Sequence, residues 1–207
     1  MAAAAESAAW ATPLDGGGRR ARAVRQDFPG LPGEGELIIL GLDPGSLHTG
    51  YGVVERRGSA VVVVEAGRIS CPRALAVPAR LAHLGTRLAE LVALRRPDLA
   101  ALETPFHGLN ARSLIVLAEA RGALLAVLAG CGVEIAEYSP AEVKSAVTGN
   151  GRADKEQVAR MVRLLLGPQA GSGMPTDASD ALAIALCCAQ RLRLDRLRGD
   201  WRGTPAR

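Results

Sequence analysis

Apolar and polar positions fall into blocks along the chain, and each block predicts an element. Residues 37–42, Leu37-Ile38-Ile39-Leu40-Gly41-Leu42, form a continuous apolar run closed by Asp43 and the turn pair Pro44-Gly45. Such a run reads as a buried strand that carries a carboxylate at its C-terminal end. Residues 51–57 and 60–68 are strand-like and joined by Arg57-Gly58-Ser59, so with the first strand they predict an antiparallel meander. After Pro78 the spacing changes: Leu81, Leu84, Leu88, Leu91 and Val92 recur at helical intervals with Arg80, Arg87 and Glu90 between them, up to Pro97. Leu99-Ala100-Ala101-Leu102 is a short buried strand closed by Glu103. A strand, a helical crossover and a strand place the second strand parallel to the first, so both carboxylates end on one sheet edge.

A helix of about twenty residues is predicted from a cap at Asn110 to Gly130-Cys131-Gly132. Its leucines, valines and isoleucine go most of the way round, which calls for burial on two sides: under the sheet and a neighbouring helix, or across a dimer interface. Residues 133–138 form a further strand, and Ser139-Pro140-Ala141-Glu142 opens a helix with a capping box and Pro at its first position. Thr148-Gly149-Asn150-Gly151 breaks that helix, residues 153–166 are helical again, and residues 167–175 read as a loop. The last helix runs from Thr176 or Asp177 to about Leu192 and is apolar all round from Ala181 to Ala189. The fold class is therefore α/β, with a five-stranded mixed sheet, three antiparallel strands plus two parallel, flanked by helices.

Composition bounds this picture. The chain has 207 residues, and 48% hydrophobic content is enough for one domain with a sizeable core. Residues 1–36, rich in Ala, Gly, Arg and Pro, are expected to be a disordered extension, residues 37–190 the folded domain, and residues 191–207 an Arg-rich tail. The longest uncharged apolar passage, residues 122–133, is shorter than the roughly 18 residues of a membrane span, and no signal peptide is evident, so a cytoplasmic protein is expected. Cys71, Cys131, Cys187 and Cys188 show no CxxC spacing and read as core residues in a reducing compartment. Net charge is +4, yet the stretch between extension and tail holds 15 basic and 14 acidic residues. Acids gathered into one site and neutralised by cations would leave the remaining surface basic enough for a phosphate backbone.

Four acids qualify for such a site. Asp43 and Glu103 close parallel strands, while Asp177 and Asp180 stand three apart at the start of the buried last helix. Acids at a helix start also serve as caps, and Asp before Pro-Gly is ordinary turn chemistry. Brought together, the four make a donor set for divalent cations with oxygen ligands. Lys144, Arg152 and Lys155 flank the 148–151 loop, as a solvated face or as a phosphate approach. Phe106, one of six aromatic residues, follows Glu103-Thr104-Pro105 and could stack on an unpaired base or make a satellite hydrophobic contact.

The motifs in this order resemble the RuvC family of crossover-junction endodeoxyribonucleases. They are Gly41-Leu42-Asp43-Pro44-Gly45-Ser46 with Thr49-Gly50-Tyr51-Gly52, Glu103 with Phe106, Asn110-Ala111-Arg112-Ser113 with Ala120-Arg121-Gly122, Tyr138-Ser139-Pro140 with Val143-Lys144, Ala153-Asp154-Lys155 with Gln157-Val158, and the stretch Asp177 to Ala185. The resemblance covers about residues 37–190 and implies an RNase H-like fold. It further implies a homodimer that nicks four-way (Holliday) DNA junctions symmetrically in recombination and repair, in cooperation with a RuvA–RuvB branch-migration complex. By motif position Asp43, Glu103, Asp177 and Asp180 would be the catalytic carboxylates, Lys144 and Lys155 functional lysines, and Phe106 the junction-probing aromatic. Two Mg²⁺ ions per site are expected, with Mn²⁺ as a substitute: Asp43 bridging both, Glu103 and Asp180 holding one each, Asp177 positioning water or the second ion. His107 and Leu109 depart from the family pattern, which bears on local DNA contacts and cleavage-sequence preference. An actin-like nucleotide-binding ATPase or kinase, whose phosphate loop also follows a strand as Asp-x-Gly-Ser/Thr, and a non-catalytic junction-binding module are the alternatives.

Overall fold

The computed structural model describes residues 36–104, 111–167, 170 and 173–198, with side chains described as far as residue 192. Phe106, His107, Leu109, Asn110, the expected disordered extension and most of the Arg-rich tail lie outside the described residues. The strands are β1 (Leu37–Asp43), β2 (His48–Arg57), β3 (Ala60–Ser70), β4 (Leu99–Glu103) and β5 (Glu134–Tyr138). The helices are α1 (Val77–Arg95), α2 (Ala111–Gly130), α3 (Pro140–Thr148), α4 (Lys155–Leu166) and α5 (Thr176–Arg198).

The strands form one five-stranded sheet in the order β3-β2-β1-β4-β5. β1, β2 and β3 pair antiparallel, whereas β4 pairs parallel to β1 and β5 parallel to β4. Period-two alternation sorts the side chains onto two faces. Leu40, Leu42, Val53, Ala100 and Leu102 pack with α1 and α2 on one face. Leu37, Ile39, Val54, Leu99 and Ala101 pack with α3, α4 and α5 on the other. Within β1 the side chains of Leu37 and Ile39 therefore share a face with Gly41 and Asp43.

Local chemistry explains most boundaries. Gly58 takes φ 59° in the β2–β3 hairpin turn, a conformation that suits glycine. Ser139 and Glu142 complete the expected capping box on α3. A second box, Asp154 with Gln157, starts α4 at Lys155, later than the expected residue 153, because the Asp154 side chain captures the Gln157 N–H. β2 and β3 are longer than expected, and α5 continues to Arg198, beyond the expected end near Leu192. Its final stretch, residues 193–198, is mostly Arg and Asp, and two leucines are too few to mark a helical period.

α2 also corrects an expectation. By length and composition Ala111–Gly130 is long and apolar enough to cross a membrane, which counting only the uncharged passage 122–133 overlooked. In the fold Ala120, Leu124 and Leu128 are buried against the core, and Arg121 pairs with Glu137 on β5, so one side of the helix belongs to the domain. In its N-terminal half Ile115 is 59% exposed, while Leu114, Val116 and Leu117 are half-buried.

Candidate active site

Three glycines let α5 descend onto the sheet. A Cβ on Gly41 would overlap the Ala181 carbonyl, one on Gly50 the Asp177 carbonyl, and one on Gly52 would come within 2.8 Å of the Leu182 side chain. All three face α5, and together they form the trough in which its first turns lie. The consequence is positional: Asp177 and Asp180 are delivered to the C-terminal mouth of β1 and β4. Leu42 pairs with Leu102, so Asp43 and Glu103, one residue further along adjacent parallel strands, arrive there side by side. The loop after Asp43 is held by Thr49, which is fully buried; its Oγ1 donates to the Gly45 carbonyl at 2.9 Å and accepts from the Gly45 N–H at 3.4 Å.

The electrostatics follow from this convergence. Burial, followed by the charges of Asp180, Glu103 and Asp177, pushes the Asp43 carboxyl up to about 7, against the pull of Lys155. Burial and then Asp180 also raise Glu103, while Lys144 and Lys155 act in the opposite direction. Lys155 Nζ stands 2.7 Å from Asp180 Oδ2, and this hydrogen bond holds the ammonium above its ordinary range. Arg68, on β3, places its guanidinium 3.6 Å from Asp177 Oδ2.

The structure therefore brings Asp43, Glu103, Asp177 and Asp180 to one mouth, with Lys155 in contact and Lys144 within electrostatic reach of Glu103. Arg152 is exposed and engages the 148–151 loop, its backbone N–H donating to Asn150 Oδ1 at 3.0 Å, with no contact to the four acids among the described residues. Phe106 lies outside the described residues. Sequence reasoning missed Thr49 and Arg68; a hydroxyl four residues after a Pro-Gly turn is a readable sign for the first, and nothing local signals the second. A cleft of about 350 Å³ between β3 and α1, lined by Tyr51, Glu65, Arg68, His83, Arg87 and Glu90, contains none of the four acids and meets the site only at Arg68.

The donor set can be tested against a metal. Among the described residues no three carboxylates are closed around one point at ligand spacing. Asp180 and Asp177 are drawn instead to Lys155 and Arg68. Four mutually repelling oxygen donors, with Asp43 raised by several of the others, are nevertheless the charge arrangement that a hard divalent cation relieves. The residues fit such an ion.

Comparison with known proteins gives a consistent result. A family model described as "Crossover junction endodeoxyribonuclease RuvC" matches residues 39–188. Two relatives bearing that same description come from Hyphomonas neptunium, 45% identical over 79% of this chain and 96% of its own length, and Anaeromyxobacter dehalogenans, 47% identical over 73% and 80%. Among solved structures, Thermus thermophilus RuvC in complex with a Holliday junction substrate superposes with a TM-score of 0.73 at 31% identity, covering 81% of this chain and 99% of that one. The yeast mitochondrial Holliday junction resolvase Ydc2, at 15% identity and TM-score 0.59, shares the fold.

Proposed function

Since the chain belongs to the RuvC family of crossover junction endodeoxyribonucleases, with their RNase H-like fold and their Holliday-junction-resolving activity, we propose that Asp43, Glu103, Asp177 and Asp180 are its catalytic carboxylates. They hold two Mg²⁺ ions, with Mn²⁺ as a substitute. Bound divalent cations supply a nucleophilic water at neutral pH and charge relief on the leaving oxygen of the phosphodiester. Family membership displaces both the actin-like nucleotide-binding alternative and the non-catalytic junction-binding one.

The protein's own groups do the rest. Asp43, at the rigid end of β1 and beneath the first turn of α5, carries the most strongly shifted carboxyl, and it must be ionised to act as a ligand. Lys155 orients Asp180 through their 2.7 Å contact and puts a positive charge where the scissile phosphate lies. Lys144 adds charge beside Glu103. Arg152, at the 148–151 turn, adds to the DNA-binding surface, and Phe106, three residues after Glu103 in the sequence, is proposed to contact the junction. The observation that carries the reading is the convergence of four acids, distant in sequence, on one strand-end mouth.

The substrate is four-way junction DNA, and symmetric nicking requires two such sites. The partly exposed apolar residues of the N-terminal half of α2, Ile115 with half-buried Leu114, Val116 and Leu117, support a homodimer built on that helix. Cooperation with a RuvA–RuvB branch-migration complex and a cytoplasmic location complete the proposal; the four cysteines, none of them in a disulfide, suit a reducing compartment. The test is a nuclease assay on a synthetic four-way junction, with and without Mg²⁺. Paired, Mg²⁺-dependent nicks are expected. Absence of cleavage by the full chain, or cleavage in EDTA, would overturn the assignment.

A further inference from the structure

β3 is an edge strand with one irregularity. From the hairpin, Arg57 pairs with Ala60 and Val54 with Val63, but Val53 then pairs with Glu65, leaving Val64 as an extra residue. An uninterrupted register would have set Gly67 opposite Gly50. The bulge sets Arg68 there instead, and a one-residue slip moves a side chain to the other face of a sheet. Asp43, Gly50 and Arg68 consequently form a row across β1, β2 and β3 on the face that carries α5. A side chain on Gly50 would collide with Asp177, so the glycine leaves Asp177 seated beside the row that ends in Arg68.

We propose that Arg68 is a DNA-binding residue of this enzyme, gripping a backbone phosphate of the cleaved strand at the outer rim of the carboxylate site. The proposal rests on the nuclease reading above. Three observations support it. The guanidinium approaches Asp177 at 3.6 Å, beyond good hydrogen-bond range, so its donor fork is largely uncommitted. Its side chain is 39% exposed on an edge strand, where a DNA strand has room to pass. Its ion-pair partner is one of the acids assigned to the cations, and once Asp177 serves a divalent ion that pairing is given up, leaving the guanidinium with only Glu65 and Glu90 of the neighbouring cleft, which are already engaged by Arg95 and Arg87. A phosphate oxygen pair, matched by the planar fork of arginine, takes the place of Asp177. A half-exposed ion pair at this distance contributes little to folding and gives no structural reason for the bulge to aim Arg68 here.

The test uses the full chain, Arg68→Gln and Arg68→Lys, with fluorescence-anisotropy titrations of a synthetic four-way junction in Ca²⁺ and in EDTA across a salt series. In Ca²⁺, Arg68→Gln is expected to bind roughly 5–10-fold more weakly than wild type and to lower the slope of log K against log salt by about 0.9, the value for one phosphate contact. Arg68→Lys should keep the wild-type slope while losing part of the affinity. In EDTA the Arg68→Gln deficit should shrink, because Asp177 then retains the guanidinium. An unchanged affinity and slope for Arg68→Gln beside normal wild-type binding would overturn the role of Arg68 alone. So would an equal loss of slope in Arg68→Lys. Failure of the wild type to bind or cut the junction would instead overturn the nuclease reading.

Discussion

Replacing Asp43 with Asn should make the metal-free protein more stable while abolishing its chemistry. The Asp43 carboxyl moves from the ordinary 3.8 to about 7 in the fold, chiefly through burial and then through Asp180, Glu103 and Asp177. A shift of about three units, at roughly 1.4 kcal/mol each, means that ionised Asp43 opposes folding by about 4 kcal/mol. The sign follows from proton binding: between 3.8 and about 7 the folded state holds a proton that the unfolded state has released. The stabilising contribution of protonated Asp43 is thus fully present below 3.8 and is lost as pH rises through about 7. Glu103 is raised in the same sense and adds to the slope. Asn has nearly the shape of Asp and no charge, so Asp43→Asn is expected to gain on the order of 2–4 kcal/mol above about pH 8 and to unfold roughly 5–10 °C higher. Thermal unfolding of the full chain in EDTA at a series of pH values measures this. Millimolar Mg²⁺ should raise the midpoint of the wild type and leave the variant nearly unmoved. An Asp43→Asn protein less stable than wild type at alkaline pH, or stabilised equally by Mg²⁺, would refute the reasoning.

Other perturbations address other parts of the site. Lys155→Ala removes the 2.7 Å partner of Asp180 and a charge beside the phosphate, and should slow junction cleavage by roughly 10²-fold while weakening junction affinity by no more than about 10-fold, read from single-turnover kinetics and anisotropy. Gly50→Ala puts a methyl group into the Asp177 carbonyl, and backbone cannot yield as a side chain can; a loss of about 1–3 kcal/mol in denaturant unfolding together with loss of cleavage is expected. Ile115→Glu places a charge on the exposed side of α2 and should convert the proposed homodimer to monomer in sedimentation velocity without lowering the unfolding temperature.

Much of this site is legible in the sequence, for reasons that differ by residue. Asp43 and Glu103 could be read because apolar runs end on them, and the helical crossover between them obliges the strands to be parallel. That β1 and β4 are neighbours was beyond sequence, since the crossover fixes their parallel sense but the order β3-β2-β1-β4-β5 rests on pairing between residues about sixty positions apart, Ile39 with Leu99 among them. Asp177 and Asp180 fit capping as well as metal binding, and only the seating of α5 on Gly41, Gly50 and Gly52 gathers them with the strand carboxylates. Arg68 was invisible: its face depends on the single extra residue Val64, and a run of four consecutive valines carries no mark of where a bulge falls. The α4 start was missed because a capping box at Asp154 competes with the apolar pattern and wins by one captured N–H.

The central claim is that Asp43, Glu103, Asp177 and Asp180 act as one metal-dependent unit on four-way junctions. Its most direct measurement is strand-resolved cleavage of a synthetic mobile junction by the wild type and by Asp43→Asn, Glu103→Gln, Asp177→Asn and Asp180→Asn. The expected result is a pair of symmetric nicks by the wild type only when Mg²⁺ is present, with each variant binding the junction but cutting at least about 10²-fold more slowly. Cleavage by the wild type in EDTA, or wild-type rates in Asp43→Asn or Glu103→Gln, would contradict it.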